Sequence, residues 1–279
     1  MNRLFLLAAY DPQGQVSPAL LYYAQALASL GKLVCYADSE MAPLQLDLLQ
    51  AHTLYAGASR HGEYDFGSYK RAWQWAAAHL DLSCFDRVYL LNDSVYPTGG
   101  ASVLEPFFQQ LEALDAQAVG AVYNPDPKGP HLQSWMLCFK PEVFLHPAFG
   151  ELLLSVEHQQ HKWMICGLYE HGLTRLVWEE GFQTDSFLIS KGKEVYNHPL
   201  RLCRKGLPFF KKSAITRHGG AYRYQVRAIL ERFCKPDCAQ FIREDIERLY
   251  GAGVLNDLDR SCALQAPLRL LRYGLGKLK

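Results

Sequence analysis

Between residues 4 and 91 short apolar runs alternate with helical patterns, and this rhythm leaves few architectures open to the chain. Leu4–Ala9 is an unbroken apolar run, as expected of a strand covered on both faces. Ser17–Leu30 reads as a helix, with Ser17 as N-cap and Pro18 at the first helical position, where a missing N–H is harmless. Gly31 closes that helix, and Lys32–Ala37 is a second strand ending at Asp38-Ser39. A helix over Leu44–Ala51, a strand at Thr53–Ala56, a helix over Gly67–Leu80 and a buried strand at Asp86–Leu91 continue the pattern. Strands alternating with helices predict an α/β domain built on a mainly parallel sheet. Such sheets collect ligands at the carboxyl ends of their strands. The polar residues just beyond those ends, Asp11, Asp38 and Asn92-Asp93-Ser94, are therefore the first candidates for a site.

Farther along, the pattern predicts a helix near Leu104–Leu114, a strand at Ala118–Val122, a Pro- and Gly-rich loop at Asn124–Pro130 and a strand at Ser134–Phe139. Helices are expected at Glu170–Glu180, Arg223–Phe233 and, with Asp237 as N-cap, Ala239–Tyr250. Residues 1–196 carry 12 Lys and Arg against 21 Asp and Glu, whereas residues 197–235 carry 10 against Glu231 alone. A basic segment after an acidic body suits phosphates or a membrane surface, or a solvated face that pairs with the body. The acidic body argues against nucleic acid, despite Phe209, Phe210, Tyr222 and Tyr224 within the basic segment.

The chain has 279 residues, 49% of them hydrophobic and 20% charged, which excludes a disordered tail, a collagen and a coiled coil. No apolar run approaches the roughly 18 residues of a membrane span. The apolar stretch from Leu4 to Ala9 is short for a signal peptide, and its Tyr10-Asp11-Pro12 ending suits a strand entering a loop, so a cytoplasmic protein is expected. Eight cysteines lie mostly among apolar neighbours, and Cys234 and Cys238 have no second pair at zinc-ligand spacing.

The chain has no Gly-x-Gly-x-x-Gly after a strand, no Gly-Lys-Ser/Thr phosphate loop and no Gly-x-Ser-x-Gly elbow, so dehydrogenase, P-loop and α/β-hydrolase readings lose their usual support. In Asn92-Asp93-Ser94 a buried strand delivers an amide, a carboxylate and a hydroxyl to one place. Asp93 suits a hard divalent ion held largely by substrate phosphates, although the same triplet also starts turns. Asp65, within Tyr64-Asp65-Phe66-Gly67-Ser68-Tyr69-Lys70, suits either a helix N-terminus or a base or ribose. His131-Leu132-Gln133-Ser134-Trp135 suits hydrogen bonding and ring packing to a sugar, or an ordinary strand entry. Glu170 reads as a general base or as a first-turn carboxylate favoured by the helix dipole.

Taken in order, these segments resemble the rhamnan synthesis F family of bacterial polysaccharide glycosyltransferases. The stretches that carry the resemblance are Tyr64–Lys70, Leu91-Asn92-Asp93-Ser94-Val95-Tyr96, His131–Trp135, Tyr169–Arg175 and Gly181-Phe182, with Tyr10–Val16 and Gly206–Lys211 in support. The chain departs from the family pattern at His61 and Glu63, at Pro97-Thr98-Gly99-Gly100, and in lacking a Trp-Gly near Val119-Gly120.

The resemblance implies a GT-A-like nucleotide-sugar-binding sheet flanked by helices over residues 1–196, with a donor half at about 1–100 and an acceptor half at about 101–196. A basic, mainly helical C-terminal extension follows at 197–279. It implies transfer of a sugar, with rhamnose from dTDP-rhamnose as the expected donor, to a hydroxyl of a growing surface polysaccharide or lipopolysaccharide, with inversion. Asp11, Asp38, Asp65, Lys70, Asn92, Asp93 and Ser94 would bind the donor, and Asp93 would hold Mg²⁺ or Mn²⁺. A basic side chain of 201–212 would offset the leaving-group charge, Glu170 would be the base, and His131, Gln133, Ser134 and Trp135 would bind the acceptor. The rival is a non-catalytic nucleotide- or glycan-binding protein on the same scaffold. In the tail, Leu268, Leu271, Leu275 and Leu278 share one helical face among basic residues without an acid, which suggests contact with the inner face of the cytoplasmic membrane, although Gly274 and Gly276 weaken a helix.

Overall fold

The computed structural model describes residues 1–276, which form two compact units. The first gathers Met1–Val16, Ala24–Asp93 and Phe108–Lys191; the second gathers Ser17–Tyr23, Ser94–Phe107 and the chain from Gly192 onward. The described strands are β1 (Arg3–Ala9), β2 (Lys32–Ala37), β3 (Tyr55–Ala58), β4 (Arg87–Asn92), β5 (Val95–Pro97), β6 (Ala118–Asn124), β7 (His131–Leu132), β8 (Met136–Phe139), β9 (Thr184–Ile189) and β10 (Phe209–Lys211).

The first unit is a mixed α/β body around an eight-stranded sheet flanked by helices. Strands β3, β2, β1 and β4 run parallel, as the alternating rhythm predicts; β8 then pairs antiparallel with both β4 and β6, and β9 pairs parallel with β6. All seven residues of β1 are buried, because helices cover both of its faces. Leu4, Leu6 and Ala8 meet Phe66, Tyr69, Trp73 and Ala76 of the helix Tyr64–His79 in one core. Phe5 points the other way, 5.0 Å from Tyr89 and 5.3 Å from Phe108 between ring centroids.

The helix expected from Gly67 begins one turn earlier, at Tyr64, which takes φ 57° two residues after Gly62 at φ 70°. The Asp38 carboxylate pins this turn by accepting hydrogen bonds from the His61 and Gly62 amides (3.0 and 3.1 Å). Gly14 has φ 67°, and a Cβ there would collide with the Glu40 carbonyl oxygen. The strand expected at Ser134–Phe139 begins two residues later, as β8 at Met136, and β7, β9 and the helices Pro141–Phe144 and Pro147–Leu154 lie outside the sequence expectation.

The second unit takes in residues 197–276 and also Ser17–Tyr23 and Ser94–Phe107. Its antiparallel ribbon pairs β5 with β10, and Tyr96 and Phe210 from that ribbon share a core with Ile215, Val226, Ile229, Ile242 and Ile246. Ser17 does cap its helix, its hydroxyl accepting from the Leu20 amide at 3.2 Å. The helix expected at Ala239 starts at Pro236, whose fixed φ suits the first position; Lys235 is its N-cap, and Asp237 lies in the first turn instead. A helix continues through Gly274 to Gly276, while Lys277, Leu278 and Lys279 fall outside the described residues. Among the described residues no helix is long and apolar enough to cross a membrane.

Candidate functional site

Strand direction brings most of the candidates in the first unit to one sheet edge. The parallel β1, β2 and β4 end there, and β8 begins there because it runs antiparallel to β4, with Leu91 opposite Met136. Asp11, Asp38 and Asn92-Asp93 follow or close the first three strands, and His131–Trp135 precedes β8. The Asn92 amide N–H bonds the Trp135 carbonyl (3.1 Å), and the Asp93 N–H bonds the Ala8 carbonyl (3.0 Å), so the Asn-Asp pair is fixed between two strand ends.

Side-chain bonds then join residues far apart in sequence. The Asn92 side-chain amide donates to Asp65 Oδ2 at 2.7 Å. Glu170 Oε1 accepts from both the Ser134 amide and the Ser134 hydroxyl, each at 2.8 Å. The Ser134 carbonyl takes the Tyr69 hydroxyl at 3.0 Å, which ties this pair back to the helix carrying Asp65. Cys166 lies against the same carboxylate; burial, then the Glu170 charge, push its thiol up to about 11, and the Asp65 charge adds to this.

Glu170 does not open a helix, so the dipole explanation of its position falls away. The helical run starts at Lys162, eight residues upstream, and Glu170 closes a π-helical turn, Cys166–Glu170, before the α-helix His171–Glu179. The wider turn is held on one side by Tyr169, whose hydroxyl accepts from the Glu157 amide (3.0 Å) and donates to the Ser155 carbonyl (3.2 Å). Such single π turns occur mostly within α-helices and often at functional positions.

The remaining candidates have definite partners. Asp11 Oδ1 accepts from the Gln13 and Gln15 amides (2.9 and 3.1 Å), and its own N–H bonds Ser39 Oγ (2.8 Å), joining the loops after β1 and β2. The Lys70 ammonium donates to the Val156 carbonyl at 2.7 Å. The Trp135 indole is buried and donates to Gln133 Oε1 at 3.0 Å. His131 Nδ1 donates to the Gly129 carbonyl (2.7 Å), and the ring stacks on His171 at 4.1 Å. Burial, then the neighbouring His131, hold His171 below the usual histidine range. In the second unit the Lys211 ammonium donates to Ser94 Oγ at 2.8 Å, and the Lys212 amide bonds the Ser94 carbonyl at 2.9 Å.

Several residues of this edge escape a reading by sequence. His61 is almost wholly covered and lies 3.8 Å from Asp38 Oδ2; burial lowers its pKa, and the Asp38 and Glu63 charges oppose the shift. Its other ring nitrogen lies 3.1 Å from Ser68 Oγ. Thr174 accepts the Leu132 amide at 3.1 Å. Cys166 stands four residues before Glu170, a helical spacing that signals contact only if the helix is known to begin upstream of both.

Among the described residues no three His, Cys, Asp or Glu side chains gather as a preformed metal set. The Asn92 amide is committed to Asp65, and Asp93 is the single carboxylate of its motif; its charge helps raise the buried Cys35 thiol after burial itself. One hard carboxylate suits Mg²⁺ or Mn²⁺ held mainly by phosphate oxygens and water.

No family model and no curated relative matches this chain. Among solved structures, a protein assigned as a nucleotide-diphospho-sugar transferase from Desulfovibrio desulfuricans G20 is 12% identical, with 98% of this chain and 99% of that chain covered and a TM-score of 0.43. A cytidylyltransferase from Leptospira borgpetersenii is 11% identical over 91% of this chain and 97% of that one, with a TM-score of 0.39. Mouse xyloside xylosyltransferase 1 is 10% identical over 77% and 98%, with a TM-score of 0.38. At these values the likeness assigns no activity to this chain.

Proposed function

We propose that this chain is a GT-A-type glycosyltransferase that moves a sugar from a nucleotide diphosphate to an acceptor hydroxyl, with Glu170 as the base. The observation that carries this reading is the half-buried Glu170 carboxylate, aimed by two Ser134 donors at a sheet edge that also carries Asp65, Asn92 and Asp93. Two hydrogen bonds to one oxygen fix a carboxylate's direction, which a general base needs more than raw basicity.

In the proposed reaction the acceptor hydroxyl attacks the anomeric carbon from the face opposite the diphosphate. The new C–O bond forms as the bond to the diphosphate oxygen breaks; the hydroxyl proton passes to Glu170, and the nucleoside diphosphate leaves with the electron pair. Asp93 would hold Mg²⁺ or Mn²⁺, which supplies positive charge to the leaving diphosphate when bound. Asp11, Asp38 and Asp65 would surround the nucleoside, with Asn92 keeping Asp65 oriented. His131, Gln133, Ser134 and Trp135 would shape the acceptor side, so that residues of about 1–100 serve the donor and those of about 101–196 the acceptor. The motif resemblance favours the rhamnan synthesis F family, dTDP-rhamnose as donor and a growing bacterial surface glycan as acceptor.

The test is incubation with a panel of nucleotide sugars and Mn²⁺, following nucleoside diphosphate release and thermal stabilisation. The expected result is stabilisation by one donor with slow release of its diphosphate. Glu170→Gln keeps an acceptor oxygen for Ser134 but cannot take a proton, so turnover should fall by about 10² to 10⁴ with donor affinity unchanged. Normal turnover in Glu170→Gln would remove the base assignment. Donor binding without turnover, even with glycan acceptors present, would instead mark a binding protein, and no response to any nucleotide sugar would overturn the reading altogether.

A further inference from the structure

The terminal helix Ala266–Gly276 turns its leucines outward. Leu268, Leu271 and Leu275, spaced i, i+3 and i+7 on one stripe, are 51%, 61% and 56% exposed, and Leu264 in the preceding turn is 91% exposed. A helix on a soluble protein ordinarily sets such a stripe against the core.

The inward face is fixed by other residues. Ala266 is buried, Tyr273 meets the His218 ring at 5.3 Å, and Arg269 makes a bidentate pair with Asp257 (2.6 and 2.7 Å) plus a bond to the Gly220 carbonyl (3.2 Å). This clamp sets the helix rotation, so the leucines cannot turn inward without breaking a two-pronged ion pair. Beyond Asp259 the charge of the sequence has one sign. No acid follows Asp259 in the sequence, whereas Arg260, Arg269, Arg272, Lys277 and Lys279 do. The helix's acidic partner, Asp257, is also bonded by Arg223 at 2.6 Å, so two guanidiniums offset its charge.

We propose that this helix docks the chain on an anionic membrane surface, its leucine stripe entering the acyl boundary and the exposed Arg272 beside it meeting the headgroups. Apolar area and positive charge on one short helix are the paired signals that interfacial binding requires, since either alone gives only marginal attachment. A second copy of this chain fits less well. Three or four leucines fall far short of the roughly 1,000 Å² of a stable interface, and a two-fold contact would set the like-charged rims against each other.

The test is cosedimentation of the full chain with vesicles of phosphatidylcholine alone and vesicles containing about one third phosphatidylglycerol. Wild type should sediment with the anionic vesicles, and far less with the neutral ones or at high salt. The variant Leu268→Glu/Leu271→Glu/Leu275→Glu should weaken the partition at least about tenfold with an unchanged thermal midpoint, because all three side chains already face solvent. Should that variant misfold, the single variants Leu271→Ser and Arg272→Glu carry the test, each expected to lower the partition severalfold. No binding to anionic vesicles, binding unchanged in well-folded variants, or equal binding to neutral vesicles overturns the proposal. So does a concentration-dependent dimer that the leucine variant abolishes while vesicle binding is absent.

Discussion

Glu112 offers the sharpest test of what holds the first unit together. Its carboxylate takes Arg3 Nε at 2.6 Å, a second Arg3 nitrogen at 2.8 Å and the Tyr89 hydroxyl at 2.7 Å, and the Arg3 and Glu112 side chains are only 5% and 4% exposed. Glu112→Ala removes both bonds from the buried guanidinium to the carboxylate, while the Leu30 carbonyl at 3.3 Å and the Phe108 ring at 5.9 Å stay beside it. Breaking a buried pair in this way costs about 3–5 kcal/mol, because the surviving guanidinium loses the carboxylate that balances its charge. The Tyr89 hydroxyl also loses its carboxylate acceptor and keeps only the weaker Cys138 thiol of these two partners, so about 4–5 kcal/mol is expected in all. With a guanidinium dependence of about 4–6 kcal/mol per M, the unfolding midpoint should drop by about 1 M. Tryptophan fluorescence isolates the effect, since Trp73, Trp75, Trp135, Trp163 and Trp178 all belong to the first unit. Replacing both partners with apolar residues, as in Arg3→Met/Glu112→Leu, should recover most of the loss, because it removes the desolvation penalty along with the attraction. A shift under about 0.2 M for Glu112→Ala, or a double variant no better than the single one, would refute the reasoning.

Further outcomes follow from other contacts. In the second unit Asp245 is fully buried, bonded by Tyr96 (2.7 Å) and Arg248 (2.8 Å) with Lys212 at 3.8 Å, so Asp245→Ala should cost about 3 kcal/mol and Tyr96→Phe about 1 kcal/mol in thermal unfolding followed by circular dichroism; equal costs would contradict the network. His171 and His61 are held below the free histidine value of 6.5, so both are neutral in the folded and unfolded chain at higher pH. On acidification below about pH 6.5 the unfolded chain takes up protons first and stability falls, until the folded rings protonate too; a fluorescence midpoint that does not fall between about pH 7 and 5.5, or a slope unaltered in His171→Gln, would count against this. Ser134→Ala keeps one of the two donors to Glu170, so in the nucleotide-sugar assay it should lose only about tenfold in turnover, and a loss as large as that of Glu170→Gln would show that the hydroxyl does more than orient.

Much of the first unit is legible before any coordinates. Apolar runs such as Leu4–Ala9 and Val88–Leu91 are readable because a strand covered on both faces must be apolar throughout, and the alternation with helices then leads to parallel strands with polar residues past their ends. The same reasoning points to Asp11, Asp38 and Asn92-Asp93 without knowledge of their partners. It fails where the cause is not local. β9 pairs in parallel with β6 across more than sixty residues, and only its last three side chains, Phe187-Leu188-Ile189, are apolar, too short a run to mark a strand. The π turn at Cys166–Glu170 has no compositional mark, so Glu170 reads as a helix start although the helix begins at Lys162.

What the sequence by itself determined is therefore the class of the first unit and the sheet edge where polar groups collect, since strand polarity and burial are written in residue type and spacing. What only the tertiary structure decided is which of those groups meet. Asn92 with Asp65, Ser134 with Glu170 and Arg3 with Glu112 are separated by 27, 36 and 109 residues, and the outward turn of the terminal leucines depends on a clamp between Arg269 and Asp257. Each pairing is a long-range choice made by packing, which fixes rotation and register only once the elements have come together.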